Sequence, residues 1–217
     1  KLCRRRNITL ATILVTHHHW DHTGGIEGLL EEYPTAEVVG SVYELDAKRI
    51  HGQTRAVGDL ATMDIFGSET KILSVPGHTL GAIAFYVAQC QALFTGDTLF
   101  TAGCGRLFEG SHEQMAESLN RLACLPASTQ VYCGHEYTTK NLQFCQDVMP
   151  DDQAISKRLE QCLKRRRDGQ PTVPATMQLE KETNLFLRTE DATLQTILGT
   201  DNPMDTFKAL RERRNHF

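Results

Sequence analysis

The feature that most constrains this chain is the run Thr16-His17-His18-His19-Trp20-Asp21-His22, followed by Thr23-Gly24-Gly25. Positions 17 to 22 present four side chains able to bind a metal, in the spacing His-x-His-x-Asp-His. The run follows the apolar stretch Ala11-Thr12-Ile13-Leu14-Val15, which predicts a cluster at the mouth of a strand, where a rigid element aims several ligands at one point. Imidazoles at this density repel one another once protonated and desolvate poorly when buried. A metal removes both difficulties, because it makes the deprotonated ligands the favoured form. The ordinary alternative is a solvated His-rich loop or a terminal tag. A tag, however, is an uninterrupted His run at a chain end, not one broken by Trp and Asp behind a strand.

Three further candidates occur in the same context, just past a strand and beside a glycine. They are His78 in Val75-Pro76-Gly77-His78-Thr79, Asp97 in Phe94-Thr95-Gly96-Asp97-Thr98, and His135 in Cys133-Gly134-His135-Glu136. Each glycine permits a tight turn that swings the next side chain over the strand ends. A lone His or Asp in such a place is usually a turn former. Three such strand ends beside the first cluster argue against coincidence and give seven candidate ligands: five His and two Asp. Seven exceeds one tetrahedral site and suits two adjacent metals that share a carboxylate. Asp97 is the natural bridge, since a carboxylate has two oxygens and an imidazole has one free lone pair. Two metals holding a water lower its pKa far below ~15.7. The implied chemistry is hydrolysis of an ester, thioester, amide or phosphodiester.

The remaining composition bounds the class. The chain has 217 residues, 40% of them apolar, enough for one large domain or a domain with an appendage. No apolar stretch reaches 18 residues, so neither a membrane span nor a secretory signal is expected. The start, Lys1-Leu2-Cys3-Arg4-Arg5-Arg6, has no initiator Met and runs into what reads as an interior strand, so the chain reads as a fragment or processed form. The short Arg4-Arg5-Arg6 run reads as a solvated helix or loop end. Seven cysteines, odd in number and without a CxxC pair, fit reduced thiols of a cytoplasmic protein. Cys104, in Gly103-Cys104-Gly105, is expected to be a buried structural thiol rather than a reactive one. The net charge of −4 arises before residue 136, from 10 basic and 14 acidic side chains; 13 of each follow. No broad basic surface is expected, which argues against nucleic acid as a partner.

Strands are predicted over residues 8–15, 36–39, 71–75, 83–89, 92–95 and 129–133. A helix is predicted over 26–33, where Ile26, Leu29, Leu30 and Tyr33 recur on one face before Pro34. Another follows Ser111, which forms a capping-box pattern with Gln114 and precedes the stripe Met115, Leu119, Leu122. Beyond Cys133 the strand signal fades. Helices are predicted over 141–149, around Ile155, Leu159, Cys162 and Leu163, and over 190–198 and 205–214. The Pro/Thr-rich stretch 169–184 reads as a loop. The expected organisation is an α/β catalytic domain over 1–135 and a helical substrate-binding domain over 136–217.

Taken together, His17-His18-His19-Trp20-Asp21-His22, Pro76-Gly77-His78-Thr79, Gly96-Asp97-Thr98-Leu99-Phe100 and Gly134-His135-Glu136-Tyr137 resemble the metallo-β-lactamase superfamily. Gly103-Cys104-Gly105-Arg106-Leu107-Phe108-Glu109-Gly110, Cys133 to Thr138 and Asn184-Leu185-Phe186-Leu187-Arg188 narrow the resemblance to bacterial glyoxalase II, the hydroxyacylglutathione hydrolases. The resemblance covers essentially the whole chain. It implies an αββα sandwich of two mixed sheets, followed by a helical C-terminal domain. It also implies two divalent metals, most simply Zn, with Fe or Mn suited to the same mixed ligation. One metal would be held by His17, His19 and His78 and the other by Asp21, His22 and His135, with Asp97 and a hydroxide between them; Asp21, Asp97 and His135 are thus the expected catalytic set. Arg106, Tyr137, Arg211 and Arg214 would grip the glutathione moiety, whose carboxylates suit the forked guanidinium. Without the resemblance, the basic segment 209–214 reads as a solvated helix.

His18 is expected to point away from the ligands, Trp20 to lie at the rim, and Phe108 to pack without donating a hydrogen bond. Glu109 and Glu136 are expected to orient neighbours rather than carry protons. His51, His112 and His216 lack ligand context. Relative to the family pattern, a strand hairpin and an Asp-Asn-Tyr segment are missing before residues 11–15. The chain therefore reads as N-terminally truncated, with one sheet stripped of an edge. The expected activity is hydrolysis of a glutathione thioester, chiefly S-D-lactoylglutathione, by a monomer that binds no membrane. The alternatives are a phosphodiesterase or nuclease of the same superfamily, a β-lactamase, a one-iron persulfide dioxygenase, and a metal-binding chain without turnover. The first lacks its basic surface, and the third would not need Asp21, His22 and His135.

Overall fold

The computed structural model describes residues 5–217, so Cys3 and Arg4 lie outside the described residues; Arg5 and Arg6 are exposed. The first part alternates strands and helices: β1 (Thr12–Leu14), α1 (Trp20–Thr23), α2 (Ile26–Glu32), β2 (Glu37–Ser41), α3 (Val42–Asp46) and β3 (Arg55–Val57). A run of strands follows, comprising β4 (Thr62–Ile65), β5 (Ser68–Ser74), β6 (Ile83–Val87), β7 (Ala92–Gly96), β8 (Leu99–Phe100) and β9 (Gly103–Cys104). Next come α4 (His112–Ala123), β10 (Gln130–Cys133), α5 (Thr138–Val148) and α6 (Gln153–Arg167). The chain ends with β11 (Ala175–Thr176), α7 (Met177–Thr183), α8 (Ala192–Leu198) and α9 (Pro203–His216).

Strands β1, β2 and β3 form a parallel sheet in that order, and a mixed sheet runs β11-β10-β7-β6-β5-β4. Strand alternation assigns the faces. Ile72 and Phe85 point between the sheets to meet Val39 and Val57, whereas their neighbours Leu73 and Ala84 point to the helical side, where Met115, Leu119 and Leu122 of α4 are fully buried. On the far side, Ile26 of α2 covers Val15 and Val38. The result is the expected layering of helix, sheet, sheet and helix. Each fully buried Leu or Phe in it contributes roughly 1.5–3 kcal/mol.

The Ser111–Gln114 capping box forms in both directions, at 3.2 and 2.9 Å, and starts α4 where its pattern predicts. The stretch 169–184 differs from expectation, since it contains β11 and α7. Seven residues are too few to hold a helix by propensity. This one is capped by Thr176 and anchored from outside by its buried Glu180. Strands β3 and β4 were also not predicted, being short and polar. Beside β1, an apolar groove of about 360 Å³ is lined by Leu14, Val15, Phe85, Phe94 and Tyr132 among others.

Strands β5, β7 and β10 all run in one direction, so their C-terminal ends share one edge of the sheet. The end of β1 is tied to the same edge by Ile83 N–H donating to Thr16 O at 2.9 Å. That edge gathers the four segments singled out in the sequence.

Candidate metal centre

The seven candidate ligands converge at this edge in overlapping groups: His17, His19 and His78; His17, His22 and Asp97; and Asp21, His22 and His135. His19 Nδ1 lies 3.0 Å from His78 Nε2, and His22 Nε2 lies 3.2 Å from His135 Nε2. Asp21 Oδ2 is 3.1 Å from His135 Nε2 and 3.7 Å from His22 Nε2. Two donors about 2.0–2.1 Å from one tetrahedral cation stand roughly 3.3 Å apart. The observed spacings therefore match the edges of such polyhedra. Asp97 lies between the groups, with Oδ1 3.3 Å from His22 Nε2 and Oδ2 3.6 and 3.4 Å from His78 and His135 Nε2.

Protonation favours the same use. Burial, then the neighbouring imidazoles of His22, His78 and His19, hold the His17 pKa down at about 2, so its ring is neutral at neutral pH. Burial also lowers His19 and His78, while the Asp97 carboxylate raises His22. His78 Nδ1 lies 2.7 Å from Arg106 O and therefore carries the proton, leaving the lone pair on Nε2 facing the cluster. His17 Nε2 is buried with no hydrogen-bond partner among the described residues. A neutral, buried, unpaired nitrogen facing other lone pairs fits a cation. The donor set is that of a divalent-metal site.

The strand-end glycines are explained by close approach. A Cβ at position 134 would stand 2.5 Å from Asp97 Oδ1 and 2.6 Å from His22 Cε1, inside the cluster. Gly77 has φ of +150°, a conformation open to glycine, and its carbonyl accepts from Gly110 N.

A cavity of about 440 Å³ opens over the cluster between Trp20, Phe108, Phe100 and Tyr137. Trp20 is 82% exposed, as expected at a rim. Phe108 packs edge-on against His19 and His78, while Tyr137 stacks on His135. Phe100, Arg106 and Tyr137 also line a second cavity of about 250 Å³, with Arg211, Arg214 and Asn141 on its far side. The two cavities thus adjoin. Neither Arg211 nor Arg214 has a carboxylate partner among the described residues; Arg214 Nη2 donates to Asn141 Oδ1 at 3.1 Å. Burial and the adjacent Arg211 lower the Arg214 pKa. Arg211 is only 5% exposed; its Nη1 donates to Cys104 O at 3.0 Å and Gly105 O at 3.4 Å, while its buried Nε has no partner among the described residues.

Asn141 was not anticipated, and nor were the partners of His18, which points away onto Glu44 Oε1 at 3.0 Å. No local signal marks either, because the contacts span 73 and 26 residues. Glu136 accepts from Thr172 N and Oγ1, and Cys104 is buried, its thiol pushed up by burial. His51, His112 and His216 lie outside the cluster.

Comparison with known proteins agrees with this picture. Residues 4–135 match the metallo-beta-lactamase superfamily, and the solved ETHE1 from Myxococcus xanthus shares the fold with a TM-score of 0.65 at 24% identity, over 97% of this chain and 72% of that one. The architecture and its His/Asp edge are therefore those of a metallo-β-lactamase-fold protein. Residues 136–217 match the hydroxyacylglutathione hydrolase C-terminus. A hydroxyacylglutathione hydrolase of Synechococcus sp. (strain JA-2-3B'a(2-13)) is 46% identical over 96% of this chain and 82% of its own length; one of Aliivibrio salmonicida is 44% identical over 99% and 84%. The chain belongs to the hydroxyacylglutathione hydrolase family.

Proposed function

We propose that this protein hydrolyses S-(2-hydroxyacyl)glutathione thioesters, chiefly S-D-lactoylglutathione, to D-lactate and glutathione. The observation that carries the reading is the adjoining pair of cavities, one over the His/Asp cluster and one flanked by Arg211 and Arg214. His17, His19 and His78 would hold one divalent cation, most simply Zn, and Asp21, His22 and His135 a second, with Asp97 serving both. Bound there, the cations supply Lewis acidity that makes hydroxide available near neutral pH and offsets charge on the thioester oxygen.

The protein's own residues supply placement. Arg214 and Arg106 face the second cavity and suit the glutathione carboxylates, while Arg211 adds charge and ties down the loop that carries Arg106. Tyr137 and Phe100 wall the passage between the cavities, so the thioester reaches the cluster with its acyl group toward Trp20 and Phe108. Attack of hydroxide on the thioester carbon would break the C–S bond and give lactic acid and a thiolate; the acid then yields its proton, leaving lactate and free glutathione. With a thiol pKa of about 8.5, the leaving group needs no protein acid. No helix among the described residues is long and apolar enough to cross a membrane.

The test is hydrolysis of S-D-lactoylglutathione by the purified protein and by Asp97→Ala. Turnover by the first and its loss in the second are expected. A protein that binds two metals, leaves the thioester intact and cleaves a phosphodiester would overturn the reading.

A further inference from the structure

One buried polar network outside the cluster has no role in the steps above. Glu44 is fully buried, yet its carboxylate accepts from His18 Nδ1 at 3.0 Å and from Arg49 Nε at 2.8 Å. Arg49 Nη1 reaches on to Glu109 Oε1 at 2.7 Å, and Glu109 Oε1 is 3.5 Å from His18 Nε2. The imidazole of His18, which stands between His17 and His19, is therefore held through Nδ1 by Glu44, a carboxylate that the Arg49 guanidinium joins to Glu109. Burying a carboxylate is costly unless it is paired and hydrogen-bonded, and here both conditions are met.

The network also reaches the third member of that triad. Glu109 Oε2 accepts from Leu80 N at 2.8 Å, two residues beyond His78. The same loop returns bonds to the His78 turn through Phe108 N to His78 O at 3.2 Å and Gly110 N to Gly77 O at 3.1 Å. Both arms of the His17–His19–His78 group thus end on Arg49, one through His18 and Glu44, the other through Glu109. None of these bonds touches Asp21, His22 or His135. Glu136, beside His135, is tied instead to Thr172 and Arg166.

We infer that Arg49 is a positioning residue that sets the separation of the two arms of the His17–His19–His78 group, and so governs the affinity of that group alone for a divalent cation. The inference rests on the two-metal reading proposed above. The network joins the end of α3 and the turn after it, residues 44–49, to a loop at residues 106–110, and it is the fork geometry of arginine that lets one side chain bond both carboxylates.

The experiment is competitive titration of the metal-free protein with Zn²⁺ against a chromophoric chelator, resolving two binding steps. The step lost in His78→Ala marks the first group and the step lost in His135→Ala marks the second. Arg49→Met and Glu109→Gln are expected to weaken the first step by roughly tenfold or more, in line with the cost of removing groups that orient a ligand, and to leave the second within about threefold. Arg49→Lys, which can reach only one carboxylate, is expected to fall between. Asp152→Asn, which removes a remote ion pair with Arg188, is expected to lower stability without moving either step. Equal weakening of both steps, or no change in the first, would overturn the inference while leaving the hydrolase reading intact. A wild-type protein that takes up no Zn²⁺ would sink both. Glu109→Gln keeps the question open to test should Arg49→Met fail to fold.

Discussion

Ala102 N donates to Glu180 Oε2 at 2.7 Å, which joins the turn between β8 and β9 to a helix 78 residues further along. Glu180 is fully buried and also pairs with Arg158, itself 3% exposed, while Asn184 adds bonds to the carbonyls of Phe100 and Gly103. Removing one partner of a buried pair strands the other charge at a cost of about 3–5 kcal/mol. Glu180→Ala is therefore expected to lower Tm by roughly 6–20 °C for a chain of this size. Thermal unfolding followed by circular dichroism checks this; a shift under about 3 °C would show that the pair is not stabilising the junction.

Gly134 is a sharper probe of the cluster. A methyl group there meets Asp97 Oδ1 at 2.5 Å and His22 Cε1 at 2.6 Å, so one of them has to move. Gly134→Ala is expected to reduce thioester hydrolysis by at least about tenfold and to lower metal content, with the far-UV circular dichroism spectrum of the folded protein retained. Full metal loading and full activity in this variant would mean that the cluster has slack the structure does not display.

Arg214 tests the second cavity more cleanly than Arg211. Arg214→Ala removes a guanidinium that has no carboxylate partner among the described residues, so a charge-assisted bond of about 1.5–3 kcal/mol to substrate is lost. KM for S-D-lactoylglutathione is expected to rise roughly ten- to a hundredfold while kcat stays nearly constant. Arg211→Ala is expected to raise KM and also lower Tm, because its bonds to Cys104 O and Gly105 O are structural. An unchanged KM for both variants would remove the pair from the substrate site.

Acid stability follows from the Arg188 cluster. At Asp152 burial favours the acid form, but Arg188 and the N–H groups of Ile155 and Ala154 outweigh it and lower the pKa; at Asp191, Arg188 is the main cause of the same shift. A depressed carboxyl pKa contributes stability that is present above the unfolded value of about 3.9 and is lost as pH falls through the folded value. Urea midpoints measured from pH 7 to pH 3 are expected to drop most steeply below about pH 4. Asp152→Asn, whose amide does not titrate, is expected to show a shallower drop; parallel curves would contradict the assignment.

The local parts of this protein were legible before any coordinates. The stripe on α4 and its Ser111 cap, the branched and aromatic runs of β5 and β6, and the glycines beside His78, Asp97 and His135 are all nearest-neighbour patterns, and the structure has those elements where they were predicted. The short elements were not legible: α7 and β11 depend on contacts such as Glu180 with Arg158, whose partners lie 22 residues apart. The sequence alone determined the candidate donors and their strand-end settings, because both are written in runs of six residues or fewer. Only the tertiary structure decided which donors meet. His22 and His135 face each other across 113 residues because β7 and β10 lie side by side in parallel and β1 ends at the same edge. It also decided that both Arg211 and Arg214 line one cavity, with Arg211 more deeply buried and its Nη1 bonded to the loop at 104–105. Distances of this kind are fixed by strand order and packing, which no local pattern encodes.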